Sequence, residues 1–295
     1  MNKNLLRTCI GLTVGGSLLV TSTVMGMAAG PTGYETLKAA VKSSRTIKNA
    51  TFNISGSIAD SNKKFTNVNS TLKLEKDELI SGAISLDSND VNKSYSFFEG
   101  ENSIIFKDDA SNVYNKINFT DDESDKEDEE HDNPRVEALC ENILDTLVGD
   151  LKKKVDLKKL DNEEKQISID LDKSEIPALV NLALNADDGE DDKECKTEAK
   201  IKDIIGVDPL KLDLPELTNI EADKINVEIV VDKNNIVKEM DLVFDITGND
   251  AQNKVHNQEL KLSVDVGGIN STSVDTVDLS GKEVREISDK DFDQD

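Results

Sequence analysis

The feature that most constrains this fold is a two-residue period that recurs along much of the chain. Ala50, Phe52, Ile54, Gly56 and Ile58 alternate with Thr51, Asn53, Ser55 and Ser57. Successive side chains of an extended strand point to opposite faces, so this pattern predicts a strand with one apolar and one wet face. The alternation returns in Val68, Ser70, Leu72, Leu74 and in Ile80, Gly82, Ile84, Leu86, then less regularly through Tyr95 to Phe98, Ile104 to Phe106 and Val113 to Phe119. Breaks such as Asp60-Ser61-Asn62 and Gly100-Glu101-Asn102 carry turn residues and are too short for crossover helices. An antiparallel meander is expected.

A second block follows the same rule. Ile225, Val227, Ile229, Val231, then Met240, Leu242, Phe244, Ile246, then Leu260, Leu262, Val264, Val266 alternate around turns at Asp232 to Asn235 and Gly248-Asn249-Asp250. Val274 to Leu279 is expected to add a last short strand, followed by a frayed tail beyond Ile287. Helical spacing appears in three places. Tyr34, Leu37 and Val41 predict a helix before the first strand. Pro134 opens a stripe of Val136, Leu139, Cys140, Ile143, Leu144, Leu147, Val148 and Leu151, the strongest helical pattern in the chain. Ile167, Ile169 and Leu171 form a strand, after which Ser174 is expected to cap a short helix burying Ile176, Leu179, Val180 and Ala183. Helices on one side of an antiparallel sheet make the predicted fold α+β: a curved meander sheet whose apolar face the helices cover.

The N-terminus has the layout of an export signal: Lys3 and Arg7, an apolar stretch from Ile10 to Val24, and a small-residue exit at Met27-Ala28-Ala29. Residues 1–29 are read as a signal peptide, with a retained anchor as the alternative, and residues 30–295 as one domain. The protein is expected outside the cytoplasm, secreted or tethered by an uncleaved N-terminal segment. Cys9 lies at the start of the apolar stretch, not at its end where a lipid-attachment Cys belongs. Cys140 and Cys195 permit one disulfide or two free thiols. The chain carries 35 Lys and Arg against 60 Asp and Glu, a net charge of -25. Nucleic acid and anionic membrane surfaces are therefore excluded as partners, since both attract clustered basic residues. Two insertions at 121–132 and 187–194 hold nine and six of the acids. Neither has the spacing of a calcium loop, and both read as solvated segments.

No nucleophile elbow, P-loop, zinc-protease motif, paired CxxC or dinucleotide fingerprint occurs. The two histidines, His131 in the acidic run and His256 near a hairpin, are both expected to be exposed. No catalytic, cofactor-binding or metal-binding residue is assigned, and no enzymatic activity is expected. The functional candidate is the apolar interior, where Val136, Leu139, Ile143 and Leu147 would line a cavity between helix and sheet.

The order of export signal, helix Tyr34-Glu35-Thr36-Leu37-Lys38-Ala39-Ala40-Val41 and meander opening Thr51-Phe52-Asn53-Ile54-Ser55-Gly56 resembles the LolA/LppX-like lipoprotein-carrier superfamily. The stretches Ser174-Glu175-Ile176-Pro177-Ala178-Leu179 and Ile246-Thr247-Gly248-Asn249-Asp250 resemble uncharacterised exported proteins of Gram-positive spore formers. The resemblance implies an incomplete half-barrel plugged by helices. It also implies a non-catalytic binding module at the cell envelope that carries or senses a lipid or other apolar ligand. The alternative is a regulatory module with a filled core that binds an envelope protein.

Overall fold

The computed structural model describes residues 32–118, 152–185 and 215–287, without 45, 62, 76–78, 89–90, 101–102 and 216. The export signal, both acidic insertions, His131, Cys140, Cys195 and the predicted lining residues Val136, Leu139, Ile143 and Leu147 lie outside the described residues. No described helix is long and apolar enough to cross a membrane.

The chain begins with helix α1 (Gly33–Ser44), then runs through β1 (Ala50–Asp60), β2 (Lys63–Glu75), β3 (Leu79–Ser88), β4 (Val91–Glu99), β5 (Ser103–Asp108) and β6 (Val113–Asn118). After residue 151 come β7 (Val155–Lys159), β8 (Lys165–Asp172), helix α2 (Ala178–Leu184), β9 (Thr218–Val231), β10 (Val237–Asn249), β11 (Val255–Gly267) and β12 (Glu283–Ile287). Thr32 starts α1 with a reciprocal cap: its Oγ1 accepts from the Glu35 N–H at 3.2 Å, and Glu35 Oε2 accepts from the Thr32 N–H at 3.0 Å.

Twelve strands among the described residues form one open sheet in the order β12-β6-β5-β4-β3-β2-β1-β11-β10-β9-β8-β7. The two predicted meanders meet at β1, which pairs with β2 on one side and with β11 on the other, from Thr51↔Gly267 to Asp60↔Gln258. All pairs are antiparallel except β12 with β6, which is parallel. The protein is mostly β. Helix α1 packs chiefly against β7 and β8, and α2 against β9.

Three further expectations are corrected. Val274 to Leu279 is an irregular strap and not a strand, because its N–H groups go to side chains: Val274 to Glu75 Oε2 at 3.1 Å and Asp275 to Ser81 Oγ at 2.7 Å. The last strand is Glu283–Ile287, parallel to β6, within a stretch too charged to show a period. Ser174 does not cap α2. Instead, the Asp172 carbonyl accepts from the N–H groups of Glu175 and Ile176, forming a turn before Pro177. Strand β7, with the sequence VDLKK, was too short and charged to signal itself.

Register lines the apolar side chains into rows that cross the sheet, even-numbered in β1, β10 and β11 and odd-numbered in β8 and β9. Ile54, Val264, Met240, Ile229 and Ile167 form one row. Most of it is buried, in the core cluster shared with Tyr34, Ala40 and Leu72. Burying these aliphatic chains contributes roughly 1.5–3 kcal/mol each before entropy is counted. The opposite face carries Asn53, Ser55, Asn69, Thr71, Ser85 and Ser94, all intermediate or exposed.

Candidate functional site

Beyond the first row, the apolar face changes character. The next two rows are Gly56, Leu262, Leu242, Val227, Ile169 and Ile58, Leu260, Phe244, Ile225, Leu171. Apart from Leu171, their side chains are only partly buried. A fourth row, Asp60, Gln258, Ile246 and Ala222, is buried again. A partly open apolar band thus lies between two buried rows.

The fourth row ends at a charged cluster. His256, expected at the surface, is only 6% exposed, and Asp60 beside it 5%. His256 Nδ1 lies 2.6 Å from Asp60 Oδ2, and Nε2 lies 3.0 Å from Asp250 Oδ2. Ionised carboxylates only accept, so both ring nitrogens donate and the ring is an imidazolium. Hydrogen bonds to Asp60 first, and to Asp250 second, push the His256 pKa above its ordinary 6.5, against the opposing effect of burial.

Local turns aim both acids. Asp250 Oδ1 accepts from the N–H groups of Gln252 and Lys254 at 2.8 and 2.9 Å, leaving Oδ2 for the imidazole. The Lys254 N–H first, and His256 second, hold the Asp250 carboxyl below its usual range. Asp60 Oδ1 accepts from Ser61 Oγ at 2.8 Å, and the Ser61 N–H donates to the Asn257 carbonyl at 2.7 Å. As arranged, the imidazole has no free lone pair to act as a base, and the Ser61 hydroxyl points at Asp60 and not at the ring.

The sequence did hold a signal for this cluster. Asp60 continues the even-numbered stripe of β1, and His256 and Gln258 extend that of β11 back from Leu260, so a charged pair sits where the period calls for apolar side chains.

A second polar network lies on the same end of the sheet. Lys173 Nζ donates to Glu221 Oε2 at 2.6 Å and Asp223 Oδ1 at 2.8 Å, and Thr247 Oγ1 contacts both Asp223 Oδ2 and Asn257 Oδ1. Burial pushes the Asp223 carboxyl up, but the bonds from Lys173 and Thr247 outweigh it and the net shift is downward. Next to it an open depression of about 810 Å³ is lined by Ser57, Ser61, Asp223, Asp245, Glu259 and Lys261. Among the described residues no three His, Cys, Asp or Glu side chains are grouped to hold a metal ion.

No protein-family model matches the chain, and no curated protein matches it.

Proposed function

We propose that this protein is a non-catalytic exported binding module of the LolA-like kind, whose apolar sheet face receives a lipid or another apolar chain. The observation that carries the reading is the partly open band of Leu262, Leu242, Val227, Leu260, Phe244 and Ile225 between two buried rows. These side chains flank the core clusters yet stay partly accessible, and apolar surface of this kind can receive a ligand or a covering element. Two buried phenols support it. Among the described residues the hydroxyls of Tyr34 and Tyr95 have no hydrogen-bond partner, and a ligand's polar end would satisfy such a group.

The covering element in this reading is the amphipathic stretch from Val136 to Leu151, acting as the helical plug of a half-barrel. Topology supports the assignment. Strand β6 lies next to one edge of the sheet and β7 forms the other, ten strand spacings away, roughly 48 Å along the sheet. The chain between them connects opposite flanks of the sheet, and an apolar stripe laid against an apolar face would bury both. Val136, Leu139, Ile143 and Leu147 then face the band and form the other wall of the ligand space.

Native mass spectrometry and organic extraction of the purified full chain test the reading. The expected result is co-purifying lipid, reduced in a Leu242→Gln variant that keeps its fold. A protein that carries no extractable ligand, and that takes up no fluorescent fatty acid, overturns the carrier reading in favour of a filled core that serves a protein partner.

A further inference from the structure

The geometry points to Asp60, His256 and Asp250 as a protonation-dependent latch that holds the β1–β2 and β10–β11 hairpin tips together at the end of the apolar face. The inference is independent of the ligand reading and rests on how the three side chains are engaged.

Each carboxylate has one oxygen already occupied: Asp60 Oδ1 by Ser61 Oγ, and Asp250 Oδ1 by two backbone N–H groups. The remaining oxygen of each faces a different nitrogen of one ring, at 2.6 and 3.0 Å. A neutral imidazole carries a single N–H. On deprotonation one carboxylate would face a ring lone pair in a site with little exposure to solvent, and two negative charges would lose the cation between them. The side-chain contact, which adds to the β1–β11 ladder and the Ser61 N–H to Asn257 carbonyl bond in holding the tips together, would then become repulsive.

The groups facing His256 are few. Asp60 comes from β1, Asp250 and Lys254 from the β10–β11 turn, and Gln258 from β11 itself, while Gly248 lies opposite on β10. Lys254 alone among them opposes the imidazolium. Gln258 is 8% exposed, and its Nε2, a donor, has no hydrogen-bond partner among the described residues.

The sign follows from linkage. A folded-state pKa raised above 6.5 means that the latch contributes fully below 6.5 and is lost as pH rises through the raised value. On the acid side, the lowered Asp250 pKa means that its share is lost as pH falls through that lowered value.

The test uses the full chain with His131→Gln, which leaves one imidazole, followed by two-bond proton–nitrogen NMR and amide exchange. Both ring nitrogens are expected to be protonated at neutral pH, with a midpoint above 6.5 that falls in Asp250→Asn. Protection factors at residues 58–61 and 249–258 are expected to drop about tenfold per pH unit between 6.5 and the midpoint, then level off. In His256→Gln they stay low and flat across that range. A His256 midpoint at or below 6.5, or tip protection unchanged through the titration, would overturn the latch.

Discussion

Replacing Gly82 with Ala adds one methyl group where the sheet has no room for it. An ideal Cβ at Gly82 would lie 2.4 Å from the Thr71 carbonyl oxygen, 2.9 Å from Phe97 Cζ and 3.1 Å from Leu72 Cδ2. The nearest atom is backbone, in β2 of a sheet whose strands are paired on both sides, so relief requires β2 and β3 to separate. Phe97 is buried directly opposite Gly82 in β4 and closes the second exit. Overpacking of this kind costs about 1–3 kcal/mol. Ala offsets part of it by restricting the unfolded chain, about 0.4–1 kcal/mol. The net expectation is a loss of roughly 1–2 kcal/mol, which lowers Tm by about 2–8 °C for a domain of this size. Urea denaturation of the purified variant measures it, with an unchanged m value showing that the effect is on stability. Gly267→Ala is the control. A Cβ there meets nothing within 4 Å, so it is expected to be neutral or slightly stabilising. Trimming Phe97 to Leu in the Gly82→Ala background is not expected to restore stability, because the Thr71 oxygen remains. A Gly82→Ala protein as stable as the parent would refute the packing argument.

Two other perturbations follow from local geometry. The turn between β7 and β8 holds Asn162 at φ 59° and Glu163 at φ 63°, a left-handed pair for which Asn-Gly is the favoured sequence. Glu163→Gly is therefore expected to stabilise by about 1 kcal/mol, read as a rise in Tm, and a fall would show that the turn is held by something other than backbone preference. Burial first, and the charges of Asp241, Asp265, Glu164 and Glu228 after it, push the Glu239 carboxyl above its ordinary 4.5. A raised carboxylate opposes folding when ionised. Glu239→Gln should raise Tm at pH 7, and the gain should shrink as pH falls from the raised value and vanish below 4.5, in melting curves compared from pH 4 to 8.

Period two was legible wherever a strand had one wet face. The cores of β1, β2, β3, β9, β10 and β11 carry four or five alternations each, and their expected spans fall inside the observed ones. The pairing of β1 with β11 was not legible, because alternation specifies which face a side chain takes and says nothing of which distant strand lies alongside. Strands β7 and β12 escaped for a different reason. They are five residues long, with Lys158, Lys159, Glu283, Arg285 and Glu286 among them, so their place depends on a neighbour already in position. The His256 cluster was readable in part. Asp60 and His256 break an apolar stripe at positions of the correct parity, which marks them as inward-facing. That they meet follows only from the β1–β11 register.

Those same two short strands explain why the sheet stays open. Closure would require β7 and β12 to pair, since they form the two flanks of the described sheet. Edge strands are kept from pairing by short length and charged side chains, and both have these properties. Strand β12 is further committed to β6 by the parallel ladder from Glu283↔Val113 to Ile287↔Ile117 and by the burial of Ile287 against Ile117 and Phe106. A closed barrel would fill its interior with the inward side chains of all strands. An open sheet with blunted edges instead leaves a broad apolar face, on which, among the described residues, α1 packs chiefly at β7 and β8 and α2 at β9. The partly open band across β8 to β11 is therefore a consequence of edge design and register together. Replacing the edge charges of β12 with β-branched residues, Glu283→Val and Glu286→Thr, would test the edge half of this reasoning. It should promote association between copies through the new edge and leave the thermal stability of the monomer nearly unchanged, as size-exclusion chromatography and calorimetry would report.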